Sequence, residues 1–210
     1  MYQDSITHWI SSRILETHRN ALLAGLLFTA APVLADVFVR DDLITDPKPE
    51  RFSFCYHGSC AETVVTGLED SEWQQVREIF SARTTPDRER AAIRRAIALI
   101  EQIVGKKTGT SEDEAGTFSR LGEQGQLDCI DESTNTTFYL TMMVNDGLIR
   151  WHSVEDRAHR GLFLRGWPHT TAVIRDRHSG RAYAVDSWFL DNGRPPYIIP
   201  LEKWQDGWEP

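Results

Sequence analysis

The spacing of the apolar residues switches from helical to strand-like after Gly147, and that change constrains the fold more than any other feature. Trp73, Val76 and Phe80 recur at helical spacing, as do Ile93, Ile97, Ile100 and Val104, so each set forms one apolar stripe. After Gly147 the pattern becomes strand-like, in LIRWHSV, GLFLRG, HTTAVIRD, RAYAVDSWF and PYIIPL. Helices followed by antiparallel strands predict an α+β domain. One helix is expected to start near Asp70 or Ser71. A second opens at Thr85-Pro86 and stops at Gly105. A third is expected from Asp128 to Asn145, with Ile130, Thr134, Phe138 and Met142 on one side. Its Ser, Thr and Asn content makes it weak alone, so tertiary packing must hold it.

Ahead of the first helix, DVFVR and ETVVT suggest short strands around the cysteine loop FCYHGSC, separated by the extended turn DPKP. Residues 105–126 hold five of the 14 glycines and little apolar periodicity, which reads as a long surface loop leading to Cys129. Within it GKKTGT lacks the upstream glycine of a phosphate-binding loop, and SEDE lacks the ligand spacing of a calcium hand.

Residues 1–35 resemble an export signal. Arg19 precedes the apolar run ALLAGLLFTAAPVLA, which ends in the small-residue spacing favoured by signal peptidase. Cleavage is expected after Ala35, leaving residues 36–210 as a single domain that is periplasmic or secreted. No later stretch is long and apolar enough to span a bilayer. The leader carries two basic and two acidic residues, so the remainder keeps the whole chain's net charge of −8. That balance argues against nucleic acid as a partner, since neutralising phosphates requires a concentrated basic surface.

The three cysteines are unequal. Cys55 and Cys60 are close enough to close a small loop, and an oxidising compartment would preserve that disulfide. Zinc held by Cys55, His57 and Cys60 is the competing reading, but it has no evident fourth ligand. Cys129 is left unpaired within GQLDCIDESTNT, among Asp128, Asp131 and Glu132. With Asp128 as helix N-cap, the sulfur sits beside free N–H groups that favour thiolate, while the carboxylates oppose it. An adjacent imidazolium would tip the balance.

Of the five histidines beyond the leader, His169 has the most suggestive setting, because it opens HTTAVIRD and the strand returning after DRHSG carries Asp186. Centring the turn between Arg177 and His178 sets His169 opposite Asp186, with Cβ atoms roughly 5 Å apart. A bulge at Gly180 would slip this register. Thiol, imidazole and carboxylate have a chemical logic: the ring removes the thiol proton and later protonates the leaving amine, while the acid orients the ring.

LDCIDESTNT, WPHTTAV and YAVDSWF together resemble the Cys, His and Asp blocks of the bacterial transglutaminase-like cysteine proteinases, within the papain-like and transglutaminase-like superfamily. The likeness covers roughly residues 69–208. It implies a nucleophile-bearing helix packed on an antiparallel sheet, with Cys129 as nucleophile, His169 as general base and acid, and Asp186 as its orienting partner. The implied substrate is a peptide or protein. By analogy with the glutamine upstream of papain-type nucleophiles, Gln124 or Gln126 is a candidate oxyanion donor beside the Cys129 N–H. Trp167 and Trp188 flank the His–Asp pair as candidate cleft walls. Some exported relatives require calcium, and Asp128 matches their acidic pattern, but Ile130 stands where a second acid is expected; no cofactor is therefore assigned. The competing reading is a non-catalytic binding module that keeps the fold and buries an incidental thiol.

Overall fold

The computed structural model describes residues 40–82, 85–117, 123–161 and 167–210, all within one compact unit. The export leader and most of DVFVR and GLFLRG lie outside the described residues. The chain is α+β. A hairpin of β1 (Phe52–Tyr56) and β2 (Glu62–Thr66) precedes helices α1 (Asp70–Ile79), α2 (Pro86–Thr108) and α3 (Cys129–Asn145). Strands β3 (His152–Arg160), β4 (His169–Asp176), β5 (Ala182–Asp186) and β6 (Tyr197–Pro200) form an antiparallel sheet in sequential order, and α4 (Leu201–Gln205) follows. Among the described residues, no helix is long and apolar enough to cross a membrane.

α3 is the centre of the molecule, packed against β4, β1 and β3. Nearly all its residues are buried, including its threonines. The helix satisfies three of their hydroxyls internally: Thr134, Thr137 and Thr141 donate to the carbonyls of Ile130, Ser133 and Thr137. A sequence of low intrinsic helix propensity is thus held by burial of Phe138, Leu140, Met142 and Met143. At roughly 1.5–3 kcal/mol for each large apolar side chain, that burial outweighs the propensity deficit. Asn135 ties α3 to β1, accepting from the Cys55 N–H and donating to the Cys55 carbonyl, both at 2.8 Å.

Several boundaries differ from expectation for identifiable reasons. The N-cap of α1 is Glu69, which forms a capping box with Glu72, rather than Asp70 or Ser71. α2 runs through Gly105 and ends at Gly109, whose φ of 81° supplies the left-handed cap. Gly105 is instead a packing residue, because an added Cβ would stand 2.9 Å from Asn192 Nδ2 and 3.2 Å from Ser111 Cα. β3 begins at His152, later than LIRWHSV suggested. The backbone N–H groups of Arg150, Trp151 and His152 donate to the buried carboxylate of Glu89 on α2, so this apolar stretch is satisfied without strand pairing.

The β4–β5 register also moves. Ala172 pairs with Val185 and Val173 with Ala184, so the mirror point lies between His178 and Ser179, one residue beyond the expected centre. The turn spans Arg177 to Gly180, with the Gly180 N–H donating to the Asp176 carbonyl. A one-residue shift of the centre slides the partner strand by two residues, which preserves the face each side chain occupies. His169 and Asp186 therefore remain on one face, as diagonal rather than direct neighbours.

Candidate active site

The diagonal placement suffices. His169 Nε2 lies 2.8 Å from Asp186 Oδ2, both side chains being almost fully buried. A carboxylate accepts, which assigns the donor role to Nε2; in the corresponding tautomer the lone pair is on Nδ1. That Nδ1 atom is buried and has no hydrogen-bond partner among the described residues. The indole Nε1 of Trp204 donates to the same Asp186 oxygen at 2.6 Å, fixing the carboxylate from a second direction. Rings of Trp188, Phe189 and Trp204 surround the imidazole, with centroids at 4.7, 5.2 and 5.5 Å. Arg160, beside His169 in the sheet, lies over the Trp204 ring and donates to the Trp204 and Trp208 carbonyls at 2.6 Å. It anchors the end of the chain that supplies the indole.

Cys129 is the first residue of α3 and is 9% exposed. Burial pushes its thiol up to about 11, assisted by the charges of Asp128 and Asp186. The Thr170 N–H, one residue past His169, and the N–H of Cys129 itself pull the other way. The sulfur is thus electrostatically linked to both the first residues of β4 and the end of β5. Desolvation is the dominant influence on it, rather than the neighbouring charges or helix terminus weighed from sequence.

The acids of GQLDCIDESTNT have a structural function. Asp128 caps α3, its Oδ1 accepting from the N–H groups of Ile130 and Asp131, both at 2.9 Å. Its Oδ2 accepts the Ser59 N–H at 2.7 Å. Asp131 accepts from the Gly58 N–H at 2.7 Å and the Cys60 N–H at 2.6 Å. Those donors belong to the loop closed by the Cys55–Cys60 disulfide, in which residues His57, Gly58, Ser59 and Cys60 all have positive φ. Consecutive left-handed residues turn successive N–H groups towards one concavity, a natural carboxylate receptor. Each strained non-glycine residue costs about 1–3 kcal/mol, which the charge-assisted hydrogen bonds offset. Because Cys55 and Cys60 are bonded to each other, the zinc alternative falls away. Asp128, the calcium candidate, has both oxygens engaged by protein donors, and among the described residues no group of three or more His, Cys, Asp or Glu side chains is arranged to hold a metal.

The remaining sequence candidates separate. Trp188 is buried against the His169 ring, whereas Trp167 is 68% exposed. Gln126 is buried with its amide engaged in the preceding loop, Nε2 donating to the Glu112 carbonyl and Oε1 accepting from the Glu114 N–H. Gln124 is exposed. Sequence reasoning missed Trp204 and Arg160, whose roles depend on the chain end folding back onto the sheet; a local pattern carries no signal for that. It also missed a buried acidic group at α3, Glu101, Asp113 and Glu132, of which Glu132 accepts from the Ser187 hydroxyl at 2.7 Å. The abundance of carboxylates was visible, but their burial was not.

Comparison with protein-family models, curated proteins and solved structures returned no match.

Proposed function

We propose that this chain is an exported thiol acyl-transfer enzyme of the papain-like and transglutaminase-like class, hydrolysing a peptide or isopeptide bond through an acyl-thioester on Cys129. The observation that carries the reading is the 2.8 Å bond between His169 Nε2 and Asp186, which leaves Nδ1 as the free base while the following residue's N–H acts on the sulfur. The raised thiol pKa implies that Cys129 rests protonated and gives its proton to His169 Nδ1 as sulfur attacks the acyl carbon. The Cys129 N–H is one donor to the developing oxyanion, with Gln124 the side-chain candidate nearest in sequence whose amide stays exposed. The imidazolium then protonates the leaving amine, and water activated by the regenerated base resolves the thioester. The disulfide supports an oxidising compartment, and the net charge of −8 supports a peptide or protein partner over nucleic acid.

One observation favours the alternative of a non-catalytic binding module: Cys129 is nearly buried and its pKa is raised. Alkylation separates the two. At pH 7, where little thiolate is present, labelling of an enzyme's Cys129 by iodoacetamide needs His169 as base, so His169→Ala slows it; slow labelling that is unchanged by that substitution favours the module. Trapping an acyl-enzyme from a peptide library by mass spectrometry tests the chemistry directly. Equal product formation by the parent and Cys129→Ala would refute it.

A further inference from the structure

Arg157 borders the nucleophilic turn without a carboxylate partner among the described residues. It lies in β3 where the register with β4 shifts between Glu155 and Ala158, so neither Asp156 nor Arg157 has a partner residue on β4. Such irregularities re-aim a side chain, and they recur beside active sites. Here the guanidinium turns onto α3. Its Nη1 donates to Thr134 Oγ1 at 2.5 Å and lies 3.5 Å from both the Ile130 carbonyl and the Ser133 hydroxyl. Ile130 is the residue after the nucleophile.

All three contacts use the same nitrogen. Nη2 and Nε are absent from the buried atoms lacking partners, whereas Nε of Arg160 is among them, so the free donors of Arg157 retain contact with solvent. The arginines Arg77, Arg90 and Arg175 all meet carboxylates at 2.8–3.8 Å. Arg157 alone of these four is half-buried against hydroxyls and a carbonyl. A permanently charged, planar fork with one edge fixed and the other open is preorganised to bind a carboxylate.

We infer that Arg157 is the docking point for a carboxylate on the substrate, set one residue's reach from the acyl-thioester position, and that the enzyme selects acid-bearing peptides. This rests on the proposed acyl-transfer function. The predicted substrate chemistry is an acidic side chain or a free chain terminus close to the scissile bond. It is local in origin, because the chain as a whole is acidic and would not otherwise attract an anion.

Two alkylating reagents test the inference without knowledge of the substrate. Iodoacetate carries a carboxylate and iodoacetamide does not, while both alkylate the same sulfur. The ratio of their rates at Cys129, followed by intact mass, is expected to fall about tenfold in Arg157→Gln, in line with the loss of a charge-assisted pair. Arg157→Lys should retain most of the ratio. An unchanged ratio in Arg157→Gln, with both reagents slowed equally, overturns the inference and assigns Arg157 a purely structural or thiolate-stabilising role. Peptide pairs differing as Glu against Gln, or as C-terminal acid against amide, then identify the carboxylate. A preference lost in Arg157→Gln supports docking, and one retained there refutes it. Full activity of Cys129→Ala would overturn the acyl-transfer reading itself, a result separate from either ratio.

Discussion

Replacing Glu101 by Gln should flatten the dependence of stability on pH, and the size of the change follows from burial. Glu101 is buried between α2 and the Asn192–Gly193 turn, with Oε2 accepting the Gly193 N–H and Oε1 lacking a partner among the described residues. It lines a small cavity with Glu132, Asn135 and Tyr139. Burial pushes its carboxyl up to about 8, reinforced by the charge of Asp113. In the unfolded chain the same group ionises near ~4.3. The folded state therefore holds a proton that the unfolded state releases. The resulting stability is complete below the unfolded pKa, declines as pH rises, and is lost by the folded pKa. The decline is about 1.36 kcal/mol per pH unit for one proton, or about 3 kcal/mol between pH 5 and pH 7. Asp113, raised by burial to about 7, and Glu132, which burial also holds well above the usual carboxylate range, shift in the same direction, so the parent's slope exceeds that of one proton. Glu101→Gln removes its own contribution and eases the others by removing a neighbouring charge. Urea unfolding at pH 5, 6 and 7 at fixed ionic strength should show the parent losing about 3 kcal/mol more than the variant over that interval. Parallel lines for the two proteins would refute the buried, protonated carboxyl.

Other substitutions probe the candidate site and its support. Asp186→Asn keeps the shape but allows the ring to adopt the wrong tautomer, so kcat should fall about 10³–10⁴-fold with KM little changed; a loss under tenfold would mean His169 is oriented by other groups. Trp204→Phe keeps a ring against His169 but removes the donor to Asp186, with an expected loss of about tenfold in kcat, read separately from the melting temperature; unchanged kcat would make the indole hydrogen bond purely structural. The Cys55→Ser, Cys60→Ser double variant should lose about 2 kcal/mol of stability by urea unfolding, the loop-closure term for so short a ring, and intact mass before and after reduction of the parent should register the opened bridge as a gain of two hydrogens.

The sequence carried the local chemistry well and the long-range placement less well. The cap at Asp128 and the span of α3 follow from residue types within one turn, and they stand as expected. β1 was hidden because FSFCY is a short apolar run whose cysteine drew it into the loop reading, although four of its five residues are buried. Gly105 looked like a terminator because glycine ends helices, yet the packing of Asn192 and Ser111 against α2 demands a residue without a side chain there. The pairing of His169 with Asp186 was legible for a subtler reason. Sliding the hairpin by two residues changes every cross-strand partner but leaves each side chain on its face. A slip by one residue would have put the two groups on opposite faces of the sheet. Trp204, Arg160 and Glu101 owe their positions to contacts made across the fold, which no local spacing encodes.

The unpaired thiol among carboxylates becomes intelligible once those carboxylates are seen to hold the architecture. Asp128 and Asp131 grip the disulfide loop and fix the start of α3, and burial keeps the sulfur protonated. With the thiol pKa raised to about 11, only a small fraction of molecules carries thiolate near neutral pH. Oxidants and foreign disulfides react with the thiolate, so a resting thiol of this kind is protected in an oxidising compartment. Under the proposed chemistry, reactivity then depends on the arrival of an acyl group, because His169 removes the proton only as the carbon–sulfur bond forms. The same acids and burial that suppress the free nucleophile thereby restrict its use to substrates that reach the His169 side of the helix terminus. A preformed thiolate–imidazolium pair would be faster towards any electrophile and correspondingly exposed to damage. The two designs differ in one measurable quantity: the pH dependence of iodoacetamide labelling, which for this structure should keep rising past pH 9, whereas a preformed pair would level off below pH 7.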